Sequence, residues 1–315
     1  VEKLASGARN LRALVEGAER TDCAGFVQLV DDVLGLLAAE RGRVGRLTVE
    51  GRLVRAPPSG GAVVVGDLHG DLDSLAHILG DSGFLDRAQR AEDALLVFLG
   101  DYGDRGPRSP EVYHVVLSLK EMFPENVVLM RGNHEGPPDL LAQPHDLPAH
   151  LHRKFGTQWP DAYARLQELF GYLQTAVLVE GKCVMLHGGV PSTATDVGDL
   201  AYAHERHPAE SHLEEVLWSD PVEGLAGTLF SPRGAGRLFG GDVTEGFLGM
   251  LGVGALIRGH EPSDEGFKLN HGGRVLTLFS RKGSPYHNPR GAYLRLDLSE
   301  SMMSAEQLKA HIRNF

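Results

Sequence analysis

Five times in this chain a short aliphatic run, of the kind that makes a buried β-strand, empties into a cluster of Gly, Asp, Asn and His. AVVV leads into GDLHG (66–70), LLVFL into GDYGDRG (100–106), NVVLM into RGNHE (131–135), CVML into HGG (187–189) and GALI into RGHE (258–261). One such junction is an ordinary strand-to-loop turn. Five of them demand a fold in which segments from across the chain end side by side. In sheets wrapped by helices, ligand sites gather beyond those strand ends. The pattern therefore predicts a metal site assembled from Asp67, His69, Asp101, Asn133, His187 and His260.

The donor types narrow the metal. Asp67 and His69 are two apart and can reach one cation, Asp101 can offer one carboxylate oxygen to each of two ions, and Asn133 supplies a neutral carbonyl oxygen. The set is oxygen and nitrogen without thiolate, which suits Mn, Fe, Zn or Co. Two divalent ions, two carboxylates and a bridging hydroxide leave about one positive charge, a centre that attracts phosphate and can clamp an in-line displacement at phosphorus. Arg105 and Arg258 each lie within a few positions of a proposed ligand, and guanidinium forks match phosphoryl oxygens. His134 follows Asn133 directly, and Asp104 is placed to hold it as a proton donor for a basic leaving group. His145, His150, His152, His204, His207, His212, His271 and His287 lack the strand-end context and read as structural residues. Gly234 and Gly236, in SPRGAG, read as turn glycines.

With 315 residues and 42% apolar content the chain can bury a large core. A formal charge of −11 excludes nucleic acid as a main partner, because no basic surplus neutralises phosphates. Cys23 and Cys183 sit in apolar contexts and read as buried thiols in a reducing compartment. No signal-peptide pattern is present, and the longest weakly polar run (246–257) is too short and Gly-rich to span a bilayer. The expectation is a soluble cytoplasmic protein with no membrane partner.

Residues 1–60 read as a helical extension packed on a core domain of 61–315, one domain overall. Apolar spacing predicts a helix over 22–40 with Gly42 as C-cap, and RLTVEGRLV predicts a short strand. Two βαβ-like units follow, with strands over 62–65, 95–99 and 126–130 and helices over 72–79 and 109–122, the latter capped by Ser109 before Pro110. Residues 137–148 form a proline-spotted loop, 159–170 a helix, and from 173 onward short strands alternate with Gly and Pro turns. The fold class is α/β (α+β), with two packed mixed sheets in a β-sandwich flanked by helices.

Those segments, in that order and spacing, resemble the phosphoprotein phosphatase family of serine/threonine phosphatases, relatives of the wider calcineurin-like metallophosphoesterases. GDxH, GDxxD and GNH belong to the wider group. The Arg of GDYGDRG, the Glu of RGNHE, LWSDP (217–221) and TLFS (277–280) narrow it, and GNHEGPPDL and SPRGAG look like archaeal members. The resemblance covers about 61–298. It implies attack by metal-bound hydroxide without a phosphoenzyme, on phosphoprotein substrates. Asp67, His69 and Asp101 would hold one metal, and Asp101, Asn133, His187 and His260 the other. Arg105 and Arg258 would bind phosphate, and His134 with Asp104 would donate the proton. A hydrolase of dinucleoside polyphosphates or other small phosphoesters is the alternative, and a decayed metal-binding scaffold a third reading. Three departures stand out: Gly103 replaces the usual Val, the loop after TLFS has Ser284 where the family presents Tyr, with Tyr286 two positions later, and the N-terminal extension and the 137–148 loop are unlike the eukaryotic enzymes. Regulatory subunits are therefore left open.

Overall fold

The computed structural model describes residues 4–301 and 305–315. Its centre is a pair of packed sheets. Three parallel strands, Gly61–Val65, Ala94–Phe98 and Val127–Leu129, lie side by side in a five-stranded sheet completed by Ala292–Asp297 and Ile312–Asn314. A second sheet of eight strands carries Cys183–Met185, Ala255–Arg258 and Val275–Leu278 as its own parallel run. Each strand is apolar on both sides because both sides are covered. Ala62, Val64, Leu95, Val97 and Val128 face the other sheet, meeting Val177, Met185, Ile257, Leu276 and Leu278, while Val63, Val65, Leu96 and Phe98 face the helices. The eight-stranded sheet is covered on its far side by Val216, Phe247 and Leu248 from short helices. Two isolated parallel bridges, Asp67 with Phe279 and Met130 with Gln174, and the Gly66 N–H donating to Ser280 Oγ at 2.8 Å, stitch the two sheets together at the end where the polar clusters emerge.

The N-terminal residues are not a purely helical extension. The helix Cys23–Ala39 is capped by Asp22, whose carboxylate accepts from Gly25 N–H at 2.8 Å. Phe26, Val30, Val33 and Leu37 form its buried stripe against the helices Ser109–Met122 and Trp159–Phe170. It ends before Gly42, because Glu40 turns aside to an extended conformation where its carboxylate meets the buried Lys120 ammonium and Gln174 Nε2. RLTVEGRLV forms two strands rather than one, Leu47–Glu50 and Leu53–Ala56, folded at Gly51 (φ +56°). Leu53–Ala56 then runs parallel to Ala176–Val179 and extends the eight-stranded sheet.

Two local expectations change near the site. Ser109 is the first helical residue rather than the cap; its hydroxyl donates to Gly106 O at 3.0 Å and meets His150 Nδ1 at 2.9 Å. The proline-spotted loop ends in an unanticipated helix, Leu147–Phe155, with Pro148 in its first turn, where no N–H is needed. Among the described residues, no helix is long and apolar enough to cross a membrane. Cys23 and Cys183 are both buried free thiols.

Phe26 is fully buried, with its ring 5.2 Å from that of Phe155. Phe26→Ala should therefore cost about 3–5 kcal/mol of global stability. A single cooperative denaturation with a lowered midpoint is expected; loss of the N-terminal helices alone, with the remaining transition unmoved, would mean they are a separable appendage.

Candidate metal centre

The strand ends deliver the expected side chains to one place. Asp67 and His69 follow Gly61–Val65, Asp101 follows Ala94–Phe98 and Asn133 follows Val127–Leu129; His187 and His260 come across from the other sheet after Cys183–Met185 and Ala255–Arg258. All six are buried. Asp101 Oδ2 lies 3.5 Å from His69 Nε2, and its Oδ1 lies 3.4 Å from His187 Nε2. Asp67 Oδ2 is 3.8 Å from His69 Nε2. The Asn133 carbonyl oxygen sits 3.1 Å from His187 Nε2 and 3.2 Å from His260 Nδ1.

Hydrogen bonding at the far edge of two of the rings identifies which atoms carry lone pairs. His69 Nδ1 donates to Gly103 O and His187 Nδ1 donates to Leu99 O, both at 2.9 Å. The Nε2 atoms of the neutral rings are therefore bare acceptors, aimed at carboxylate and amide oxygens that are acceptors too. Such an arrangement is repulsive unless a cation sits among the lone pairs. Half a turn of the Asn133 amide would bring its NH₂ to 3.0 and 3.1 Å from the Asp101 oxygens, an orientation that suits the cluster without a cation, while the carbonyl orientation suits a metal. The residues fit a pair of divalent ions of the Mn, Fe, Zn or Co type.

The electrostatics agree. Burial pushes Asp67 up to about 7, against the pull of the His260 N–H and Arg258. It drives Asp101 well above the carboxylate range, with the Asp67 charge adding to the effect. Burial likewise brings His187 down to about 3 and holds His69 and His260 well below the usual imidazole range. The imidazoles are thus kept neutral, as ligands must be, and the raised carboxyls are groups that a bound cation would draw into their charged form.

Backbone strain is concentrated here. Of eight non-glycine residues with positive φ among those described, five are His69, Asp101, Asp104, Arg105 and His260. Each left-handed residue costs about 1–3 kcal/mol and persists only where its surroundings over-determine it. Glycine next to a ligand has a separate reason: a Cβ on Gly132 would lie 2.1 Å from Asp101 Oδ1, and one on Gly259 2.3 Å from Asp67 Oδ1. Glu135, fully buried, locks the centre from below, accepting from Asp101 N–H (2.8 Å), Tyr102 N–H (3.0 Å), Gly132 N–H (3.0 Å) and Tyr113 O–H (2.7 Å). Sequence reading assigned Glu135 no role. Gly103 is explained by the same packing: a Cβ there would meet the Tyr113 ring at 2.9 Å.

The donors open onto a cleft of about 830 Å³ lined by His69, Asp101, His134, Arg105, Arg233 and Tyr286 among others. His134 Nδ1 lies 2.5 Å from Asp104 Oδ2, bringing that pair together. Arg105 reaches the cleft, where its guanidinium donates to Pro144 O (3.1 Å) and Gln143 O (3.2 Å). Arg258 does not reach it. Its guanidinium is wholly buried, donating to Gly188 O, to Glu261 Oε2 at 2.6 Å and to Asp220 Oδ1 at 2.9 Å, so no fork is left for phosphate. The second arginine in the cleft, beside Arg105, is instead Arg233, whose Nε donates to Asp220 Oδ2 at 2.6 Å. Arg258 therefore steadies Asp220, and Asp220 steadies Arg233. The signal for Arg233 was the SPRGAG turn, where Gly234 and Gly236 do adopt positive φ and the arginine rides on the turn. Tyr286, not Ser284, places a ring over the site, 5.5 Å from His69 and with the Arg281 guanidinium 5.4 Å away; burial pushes its phenol up to about 12.

Parallel strands from two sheets and a paired acceptor cluster at their ends define a phosphoesterase-type architecture. The chain belongs to the calcineurin-like phosphoesterase family, whose model matches residues 62–264. It is 35% identical over 251 residues to a probable serine/threonine-protein phosphatase of Encephalitozoon cuniculi, covering 78% of this chain and 52% of that protein. It is 34% identical over 239 residues to serine/threonine-protein phosphatase 5 of Arabidopsis thaliana, covering 74% and 42%. The chain thus spans about half the length of the curated relatives it matches. A solved protein serine/threonine phosphatase from Saccharomyces cerevisiae superposes with a TM-score of 0.73 at 23% identity, over 92% of this chain and 88% of that one, a likeness of fold.

Two outcomes follow from the geometry. Gly259→Ala drives a methyl into Asp67 and should weaken Mn²⁺ binding about tenfold or more, read by calorimetric titration, with the fold retained in circular dichroism. Because burial raises both carboxyls, Asp67 to about 7 and Asp101 well above the usual carboxylate range, and each must lose its proton to bind a cation, Mn²⁺ affinity should climb as pH rises through neutrality, with proton release seen in buffers of different ionisation enthalpy. Affinity that stays flat between pH 6 and 8 would contradict the assignment.

Proposed function

We propose that this chain is a metal-dependent protein serine/threonine phosphatase that hydrolyses phosphomonoesters in the cytoplasm, acting on phosphoproteins. The observation that carries the reading is the joint presence, in one cleft, of the lone-pair cluster around Asp101, the His134–Asp104 pair and the arginines Arg105 and Arg233. The two curated relatives named as serine/threonine-protein phosphatases support it.

Asp67, His69 and Asp101 would hold one ion, and Asp101, Asn133, His187 and His260 the other, with Mn²⁺ or Co²⁺ the ions of choice for assay. When bound, such a pair supplies Lewis-acid polarisation and an acidified water. The chain's own residues do the rest. Arg233, braced by Asp220, and Arg105 receive the phosphoryl oxygens and take up charge as it develops. Arg105 must release Gln143 O and Pro144 O to do so. His134 Nδ1 is committed to Asp104, so the opposite edge of the ring, Nε2–H, is the proton donor to the departing serine or threonine alkoxide.

Leaving-group dependence tests the reading. His134→Asn should cost about 10²–10⁴-fold on a phosphoserine peptide, and much less on p-nitrophenyl phosphate, whose phenolate leaves without a proton. Asp67→Asn should depress both substrates together, and so should Arg233→Ala. Equal losses on both substrates for His134→Asn would mean the acid lies elsewhere. Faster turnover of diadenosine tetraphosphate than of the phosphoserine peptide by the Mn²⁺-loaded protein would move the substrate class away from phosphoproteins.

A further inference from the structure

Asp104 holds more than His134. Its Oδ2 faces two imidazoles, His134 Nδ1 at 2.5 Å and His145 Nδ1 at 2.9 Å, while Oδ1 accepts from Leu147 N–H at 2.6 Å. A carboxylate only accepts, so both Nδ1 atoms carry the hydrogen. The other edge of His145 is occupied as well. Its Nε2 lies 2.9 Å from the Tyr163 hydroxyl, on the helix Trp159–Phe170, so a hydrogen bond ties this edge of the ring as well. The Asp104 side chain is 1% exposed and that of His145 9%, so water barely competes for these bonds. Burial alone would raise the Asp104 carboxyl, yet the hydrogen bonds from His134 and His145 hold it below the ordinary range.

This arrangement fixes a direction. With Oδ1 bonded to Leu147 N–H and Oδ2 to two imidazoles, the carboxylate cannot turn without giving up a buried hydrogen bond, and the His134 ring is held by the oxygen it shares. Without His145 one lone pair of a buried carboxylate is freed, and the plane can swing. We infer that His145 is a positioning residue: backed by Tyr163, it fixes the Asp104 carboxylate so that His134 keeps its Nε2 edge turned into the cleft. His145 itself does not line the cleft and touches no substrate. It comes from the loop that also carries Gln143 and Pro144 beside Arg105, so one loop steadies both the proton donor and an arginine. The inference rests on His134 being the donor.

The experiment compares kcat and KM for a phosphoserine peptide and p-nitrophenyl phosphate in the Mn²⁺-loaded full chain. His145→Ala should lower kcat on the peptide about 10- to 100-fold at near-constant KM, the scale of loss for a misplaced catalytic group. The loss on the aryl phosphate should be much smaller. His145→Asn, which keeps an N–H near the Nδ1 position, should recover most of the peptide rate, and Tyr163→Phe should fall between Ala and wild type. His134→Asn is the reference. If it loses equally on both substrates, the proton-donor reading fails and takes this inference with it. If it retains the leaving-group dependence while His145→Ala leaves the peptide rate intact, or depresses both substrates equally, the positioning role is overturned and the donor reading stands. Circular dichroism and Mn²⁺ content equal to wild type check that the His145→Ala variant is folded and loaded.

Discussion

A buried carboxylate that faces the bare nitrogens of neutral imidazoles is unfavourable in a protein interior unless something positive joins it, and Asp101 is in that position even though its Oδ1 accepts from His134 N–H at 3.0 Å. Its two oxygens face His69 Nε2 and His187 Nε2, nitrogens whose hydrogens are committed elsewhere. Much of the surrounding structure serves to keep this arrangement in place. Glu135 draws in four donors around the Asp101 turn, Gly132 and Gly259 let backbone approach the carboxylates, and five residues accept left-handed conformations. The stability that tolerates this strain comes from the two-sheet core and its helices, whose buried clusters are predominantly aliphatic and aromatic.

The second layer of the site is built by relays rather than direct contacts. Arg258 acts on Asp220, which acts on Arg233. Tyr163 acts on His145, which acts on Asp104 and so on His134. In each chain the buried member has no access to the cleft and the terminal member lines it. A substitution at Arg258 and one at Arg233 can therefore look alike in activity while differing in origin, since the first takes from the buried Asp220 one of its two arginine partners.

What the sequence disclosed follows from these physical roles. The six donors were legible because each stands where a buried strand must end, often beside a glycine that close approach requires, and both features are local in sequence. Helices such as Trp159–Phe170 were legible from apolar spacing for the same reason. Relays are not local. Arg258 lies beside His260 in sequence yet points away from the cleft, while Arg233 reaches it from a hairpin turn with no periodic signal. His145 looked like a loop residue because its partner, Asp104, lies 41 positions away. RLTVEGRLV reads as one strand where the structure has two, Leu47–Glu50 and Leu53–Ala56, because a glycine inside an alternating run does not reveal whether the chain continues or folds back.

The central claim is that Asp101 is shared by two ions, and metal content measures it directly. The wild-type chain and the variants Asp101→Asn, His69→Ala and His187→Ala would be loaded with Mn²⁺, desalted and analysed by mass spectrometry of the metal. The account predicts two ions in the wild type, loss of one in each histidine variant, and loss from both positions in Asp101→Asn. Two ions retained by Asp101→Asn, with the fold intact, would contradict it.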